Sequence, residues 1–110
     1  MARYSCSFYS PQSTGALRNH LSQALQACNI EVIHDDPEYL VGREMPGHVS
    51  FAKLVVIEAL VDKPEQGRGQ SKINCVLKNE ELPLSRDNHC RQMFDSFKRA
   101  VQDRTSWQLT

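Results

Sequence analysis

The chain has little of what most specific activities require. It carries no excess of either charge, with thirteen Lys and Arg residues against thirteen Asp and Glu, so no net field gathers polyanions around it and nucleic acid is not expected as a partner. Its longest apolar run, residues 54–57, is far too short to span a bilayer. The first ten residues hold Arg3 but only short apolar stretches broken by serines, so the segment does not read as a secretory leader. A cytoplasmic protein without membrane insertion is the expectation. The four cysteines, Cys6, Cys28, Cys75 and Cys90, include no CxxC pair and are widely spaced, which favours reduced thiols over a disulfide framework. There is no GxSxG turn, and Gly67-Arg68-Gly69 lacks the strand-to-helix setting of a phosphate cradle.

What remains is an ordinary globular mixture, 24% charged and 40% hydrophobic, in 110 residues, enough for one domain with its own core. We expect that domain over residues 1–104 and a C-terminal tail over 105–110. Tyr4, Cys6 and Phe8 alternate with serines and Arg3, the period of a half-buried strand. Ser10-Pro11 and Ser13 supply capping chemistry, and Leu17, Leu21, Ala24, Leu25 and Cys28 then fall on one helical stripe ending at Asn29. Residues 30–34 and 39–45 form two arms of a hairpin around Asp35-Asp36-Pro37-Glu38. Residues 51–61 are the longest β-like run, and a loop holding Pro64, Gly67 and Gly69 leads into a last strand at 72–78. Ser85 or Asp87 can cap a second helix, whose stripe is Cys90, Met93, Phe94, Phe97 and Val101. The fold class is therefore α+β, an antiparallel sheet of about five strands with two helices on one face, in the order β-α-β-β-β-β-α.

Splitting each strand by its period of two gives two faces. Tyr4, Cys6, Phe8, Ile30, Val32, Tyr39, Val41, Val55, Ile57, Ala59, Val61, Ile73, Cys75 and Leu77 form the face expected under the helices. The opposite set includes Leu40, Leu54, Val56, Leu60 and Val76 among charged and polar residues, more aliphatic than a fully solvated face requires. Those five are the candidate interface, for a protein partner or a second copy in a homodimer. A β-bulge in the run 51–61 would exchange the two sets.

Catalytic and metal chemistry find weaker footing. His89-Cys90 stands in the first turn of a helix, where the dipole favours a thiolate, and Met93 lies one turn on. Cys90 and Met93 nevertheless share the apolar stripe while His89 sits one residue off it, so the three do not converge on an ion. His34-Asp35-Asp36 beside Pro37 is turn chemistry, since adjacent residues cannot all point inward. No catalytic residue, metal ligand or cofactor is assigned, and no enzyme activity is expected. The reading is an interaction or assembly module acting through the uncovered sheet face; the alternative is a small-molecule or lipid carrier with a pocket between sheet and second helix lined by Met93, Phe94 and Phe97.

The element order resembles the β-α-β4-α arrangement of TATA-binding-protein-like and helix-grip folds. The outer face, with Tyr9 alone among aromatics and with Glu31 and Glu58, departs from the basic, phenylalanine-bearing face of TATA-binding proteins, so that likeness implies topology and not DNA binding. Residues 30–44, together with 77–84 running into Asp87-Asn88-His89-Cys90-Arg91-Gln92-Met93-Phe94, resemble small cyanobacterial proteins, a likeness that implies a source and no mechanism.

Overall fold

A computed structural model describes residues 1–11, 14–62, 70–82 and 88–109. The expected loop around Pro64, Gly67 and Gly69 and the expected caps Ser13, Ser85 and Asp87 lie outside the described residues. The fold is α+β. Six strands, β1 (Ala2–Ser10), β2 (Ile30–Asp36), β3 (Tyr39–Glu44), β4 (Val56–Asp62), β5 (Ser71–Asn79) and β6 (Gln108–Leu109), make one antiparallel sheet in the order β2-β3-β4-β5-β1-β6. Among the described residues two α-helices, α1 (Thr14–Ala27) and α2 (His89–Arg104), accompany the sheet.

Alternation carries most of the sheet. Along β5 the residues from Ser71 to Asn79 are buried and half-buried in strict turn, with Ile73, Cys75 and Leu77 on the core side, and β4 matches them with Ile57, Ala59 and Val61. Leu17, Leu21, Ala24 and Leu25 of α1 and Cys90, Phe94, Phe97 and Val101 of α2 close the same core from above. α1 ends because Asn29 takes φ 63°, the left-handed conformation that asparagine tolerates and that lets the chain reverse into β2. α2 starts at Asn88, whose side chain accepts the Arg91 N–H at 2.8 Å, a cap that supplies one of the four partners a helix start lacks.

Three expectations need correction. First, β3 presents its other face: Leu40 is 2% exposed and lies in the core, whereas Tyr39 and Val41, expected inside, are half-buried on the outer side. The reason is a bulge at Ile33. Val32 pairs with Gly42 but His34 pairs with Val41, so the phase that points Ile30 and Val32 inward is reversed before the turn and carried back through Asp36 and Tyr39. Second, residues 51–53 form a 3-10 turn, and Leu54 precedes β4 instead of belonging to it. Third, the segment expected as a tail contributes a short strand, Gln108–Leu109. Thr105 ends α2 with its hydroxyl on the Val101 carbonyl at 2.8 Å, Trp107 is buried against Phe8, and Gln108 and Leu109 pair with Tyr9 and Phe8.

Candidate functional site

The face opposite the helices is built from cross-strand rows. Arg3, Lys78, Val56, Arg43 and Glu31 make the first, and Ser5, Val76, Glu58, Val41 and His34 the second. Ser7, Asn74, Leu60, Tyr39 and Asp36 follow, then Gln108, Tyr9, Lys72 and Asp62. Glu58 thus stands at the centre with Val41 and Val76 beside it and Val56 and Leu60 two residues either way along β4. Leu60 is 52% exposed, while Val41, Val56 and Val76 are half-buried by their neighbours.

Polar groups lace this surface. Lys78 Nζ lies 2.8 Å from Glu58, Ser7 donates to Asn74 Oδ1 at 2.7 Å, and Asn74 donates in turn to Asp62 at 3.1 Å. Arg43 and Glu31 approach to 3.7 Å, and Lys72 Nζ sits 6.0 Å from the Tyr9 ring centre. Such exposed pairs contribute about 0–1 kcal/mol each and organise the face more than they stabilise the fold. Their arrangement is uneven. The row at one end holds Arg3, Arg43 and Lys78 against Glu31, whereas the rest of the face holds Glu58, Asp36 and Asp62 against Lys72.

Of the five candidate interface residues, this geometry brings together Val56, Leu60 and Val76. Leu40 is inside, and Leu54 stands before the strand beside a cleft of about 410 Å³ that Pro46, His48 and Phe51 also line. Val41, which sequence periodicity assigned to the core, joins the outer patch instead. Only the bulge reveals that exchange.

Met93, Phe94 and Phe97 are placed where α2 meets β1. Phe97 is fully buried and meets Phe8 edge-on at 6.2 Å, Phe94 stacks on Tyr4 at 5.5 Å, and Met93 packs partly buried at the rim. The layer between sheet and helix is filled there by these rings. A cleft of about 490 Å³ lies instead between α1 and β2, with Gln26, Ile30, Val32 and Met45 among its walls.

The neighbours His89 and Cys90 do not act together. His89 turns to Glu44, its Nε2 standing 2.8 and 3.0 Å from the two carboxylate oxygens, and Glu44, 2% exposed, also accepts the Val55 N–H at 3.1 Å. Cys90 is fully buried with its sulfur toward the carbonyls of Ala2 and Leu77. Burial, with the carboxylates of Glu81 and Glu44 adding to it, pushes this thiol up to about 11. A thiol so placed is not a thiolate nucleophile at neutral pH.

Glu81 completes this end of the molecule. Its carboxylate accepts the backbone N–H groups of Cys90 at 2.9 Å and His89 at 3.3 Å and a bond from the Asn79 amide. No periodicity marks Glu44 or Glu81 as a partner of α2: Glu44 reaches the helix from β3 through sheet pairing, and Glu81 lies just past the end of β5. Among the described residues no group of three or more His, Cys, Asp or Glu side chains could hold a metal ion, and no helix is long and apolar enough to cross a membrane. No family model matches the chain, and no curated protein matches it either.

Proposed function

We propose that this protein is a non-catalytic assembly module whose uncovered sheet face pairs with the same face of a second copy. The observation that carries the reading is the ring of Val41, Val56, Leu60 and Val76 around Glu58, on a face whose two ends differ in charge. A two-fold axis lying between stacked sheets and perpendicular to the strands sets the Arg3–Arg43–Lys78 end of one copy over the Asp36–Asp62 end of the other. The aliphatic ring then meets its own copy. Isologous pairing of this kind requires a self-complementary surface, and the balanced net charge of the chain is compatible with it. The deep burial of Cys90 supports a role without covalent catalysis.

Sedimentation equilibrium across a concentration series tests this. The protein should associate to twice its chain mass, and Leu60→Asp or Val56→Asp should leave a folded monomer by circular dichroism. Gln102→Asp, on the exposed side of α2, should leave the dimer intact. A wild-type chain that stays monomeric up to its solubility limit rejects the reading.

A further inference from the structure

Cys6 and Cys75 are direct partners across the β1–β5 ladder, both on the helix side of the sheet. Directly opposed residues in an antiparallel pair have Cα atoms about 4.5–5.5 Å apart, inside the roughly 4.4–6.8 Å range that a disulfide accepts. Their Cβ atoms, typically about 4.5–5.5 Å apart, must close to nearly 3.8 Å, so the two strands must draw together slightly. The surroundings allow that movement. Ala59 is the neighbour of Cys75 on β4, and β6 pairs with β1 only at Phe8 and Tyr9 among the described residues, leaving the Cys6 side of β1 without that strand.

The two thiols differ in access and in chemistry. Cys75 is fully buried, whereas Cys6 is partly exposed. A hydrogen bond from Cys75 holds the Cys6 thiol below its ordinary value despite the opposing effect of burial, and the Lys98 ammonium adds to the lowering. The same bond, with burial and the neighbouring Cys6 charge, raises Cys75. Cys28 is raised by burial, and Cys90 is buried more deeply still. A partly exposed, more acidic thiol directly across a strand pair from a second thiol is the arrangement that reversible thiol oxidation uses.

We propose that Cys6 and Cys75 form a reversible hydroperoxide-responsive dithiol, with Cys6 oxidised first and Cys75 resolving it as a cross-strand disulfide. The Cys6 thiolate attacks the O–O bond of hydrogen peroxide. An S–O bond forms, the O–O bond breaks, and the departing hydroxide takes the proton that Cys6 released, giving Cys6 sulfenic acid and one water. Conversion of Cys6 to the neutral sulfenic acid removes the Cys6 charge that helps to raise Cys75, and the Cys75 sulfur attacks the adjacent sulfenic sulfur as its proton passes to the leaving hydroxyl, forming the S–S bond and a second water. Two thiols are oxidised by two electrons and one peroxide is reduced. The strand closure required makes the disulfide one that small dithiols reduce readily.

The test uses the reduced full chain and one equivalent of hydrogen peroxide, followed by alkylation, intact mass and peptide mapping. The expected result is loss of two hydrogens, a crosslinked peptide pair containing Cys6 and Cys75, free Cys28 and Cys90, and full reversal by dithiothreitol. In Cys75→Ser the reaction should stop at a Cys6 sulfenic acid trapped by dimedone, and Cys75→Ala does the same without placing a hydroxyl in the core. Cys6→Ser should lose the fast reaction with peroxide. The proposal is overturned if Cys28 or Cys90 is oxidised first, if no Cys6–Cys75 crosslink forms, or if Cys6→Ser consumes peroxide at the wild-type rate.

Discussion

Gly42 shows how much one residue can decide. It is buried in β3 between Ile30 of β2 and Ile57 of β4, and a Cβ built on it would stand 2.7 Å from one Ile Cγ2 and 2.9 Å from the other. Both neighbours are β-branched and stiff at χ1, so neither methyl can turn aside easily. Gly42→Ala should therefore destabilise the fold by about 1–3 kcal/mol, read as a lower urea midpoint with an unchanged slope. Glu81 decides something different at the same scale. Burial alone would raise its pKa, but the bonds from Asn79 and from the Cys90 and His89 N–H groups, with the His89 charge, hold it below the ordinary carboxylate value. A carboxylate with a depressed folded-state pKa contributes stability that is complete above its unfolded value, near pH 4, and is lost as pH falls through the folded value. Thermal melts from pH 6 downward should show a loss of stability below about pH 4 that is smaller in Glu81→Gln, which starts from a lower plateau.

Among the elements, β6 is the one whose weight exceeds its length. It is two residues long, yet it follows Trp107, which is 5% exposed and lies 6.2 Å from Phe8 and 6.5 Å from His20. Trp107 is the sole tryptophan, so its fluorescence reports docking of this segment directly. Its emission should change in denaturant at the same midpoint as the far-ultraviolet dichroism; an earlier fluorescence transition would mean that the segment detaches before the domain unfolds. Trp107→Ala should cost roughly 3–5 kcal/mol, the range for removing a large buried ring. The sequence did not disclose this element because a two-residue strand has no period to detect, and a single tryptophan after a helix is equally compatible with exposure. The bulge in β2 escaped for a related reason. The Tyr39-Leu40-Val41-Gly42 stretch is apolar on both faces, so its pattern fits either phase, and the choice is made by pairing with Ala59 and Ile57 on β4.

For the whole molecule the decisive feature is asymmetry between the two sides of the sheet. One side is sealed by α1 and α2 over a continuous core, and the other carries aliphatics among paired charges. If two such faces pair through opposed charged ends, raising ionic strength from low to about 1 M should weaken the dimer, because exposed charges are then screened within about 3 Å. Sedimentation in a salt series checks this, and association that strengthens with salt would point to an apolar contact without charge complementarity. The stability of the monomer fold should change little over the same range, since its surface ion pairs contribute little.

Local pattern alone was enough for the order of elements from β1 to α2, the core-facing stripes of both helices and the inward faces of β1, β4 and β5, because apolar residues repeat there at the period of the structure they occupy. It also placed Val56, Leu60 and Val76 on the side of the sheet away from the helices. Long-range packing set the rest: Leu40 exchanges places with Tyr39 and Val41, Trp107 closes the core, His89 belongs with Glu44 instead of Cys90, and Cys6 faces Cys75. Each of these depends on register between segments far apart in the chain. Local periodicity fixes which way a side chain points relative to its neighbours, but what it meets is fixed by strand pairing, and no local pattern encodes that.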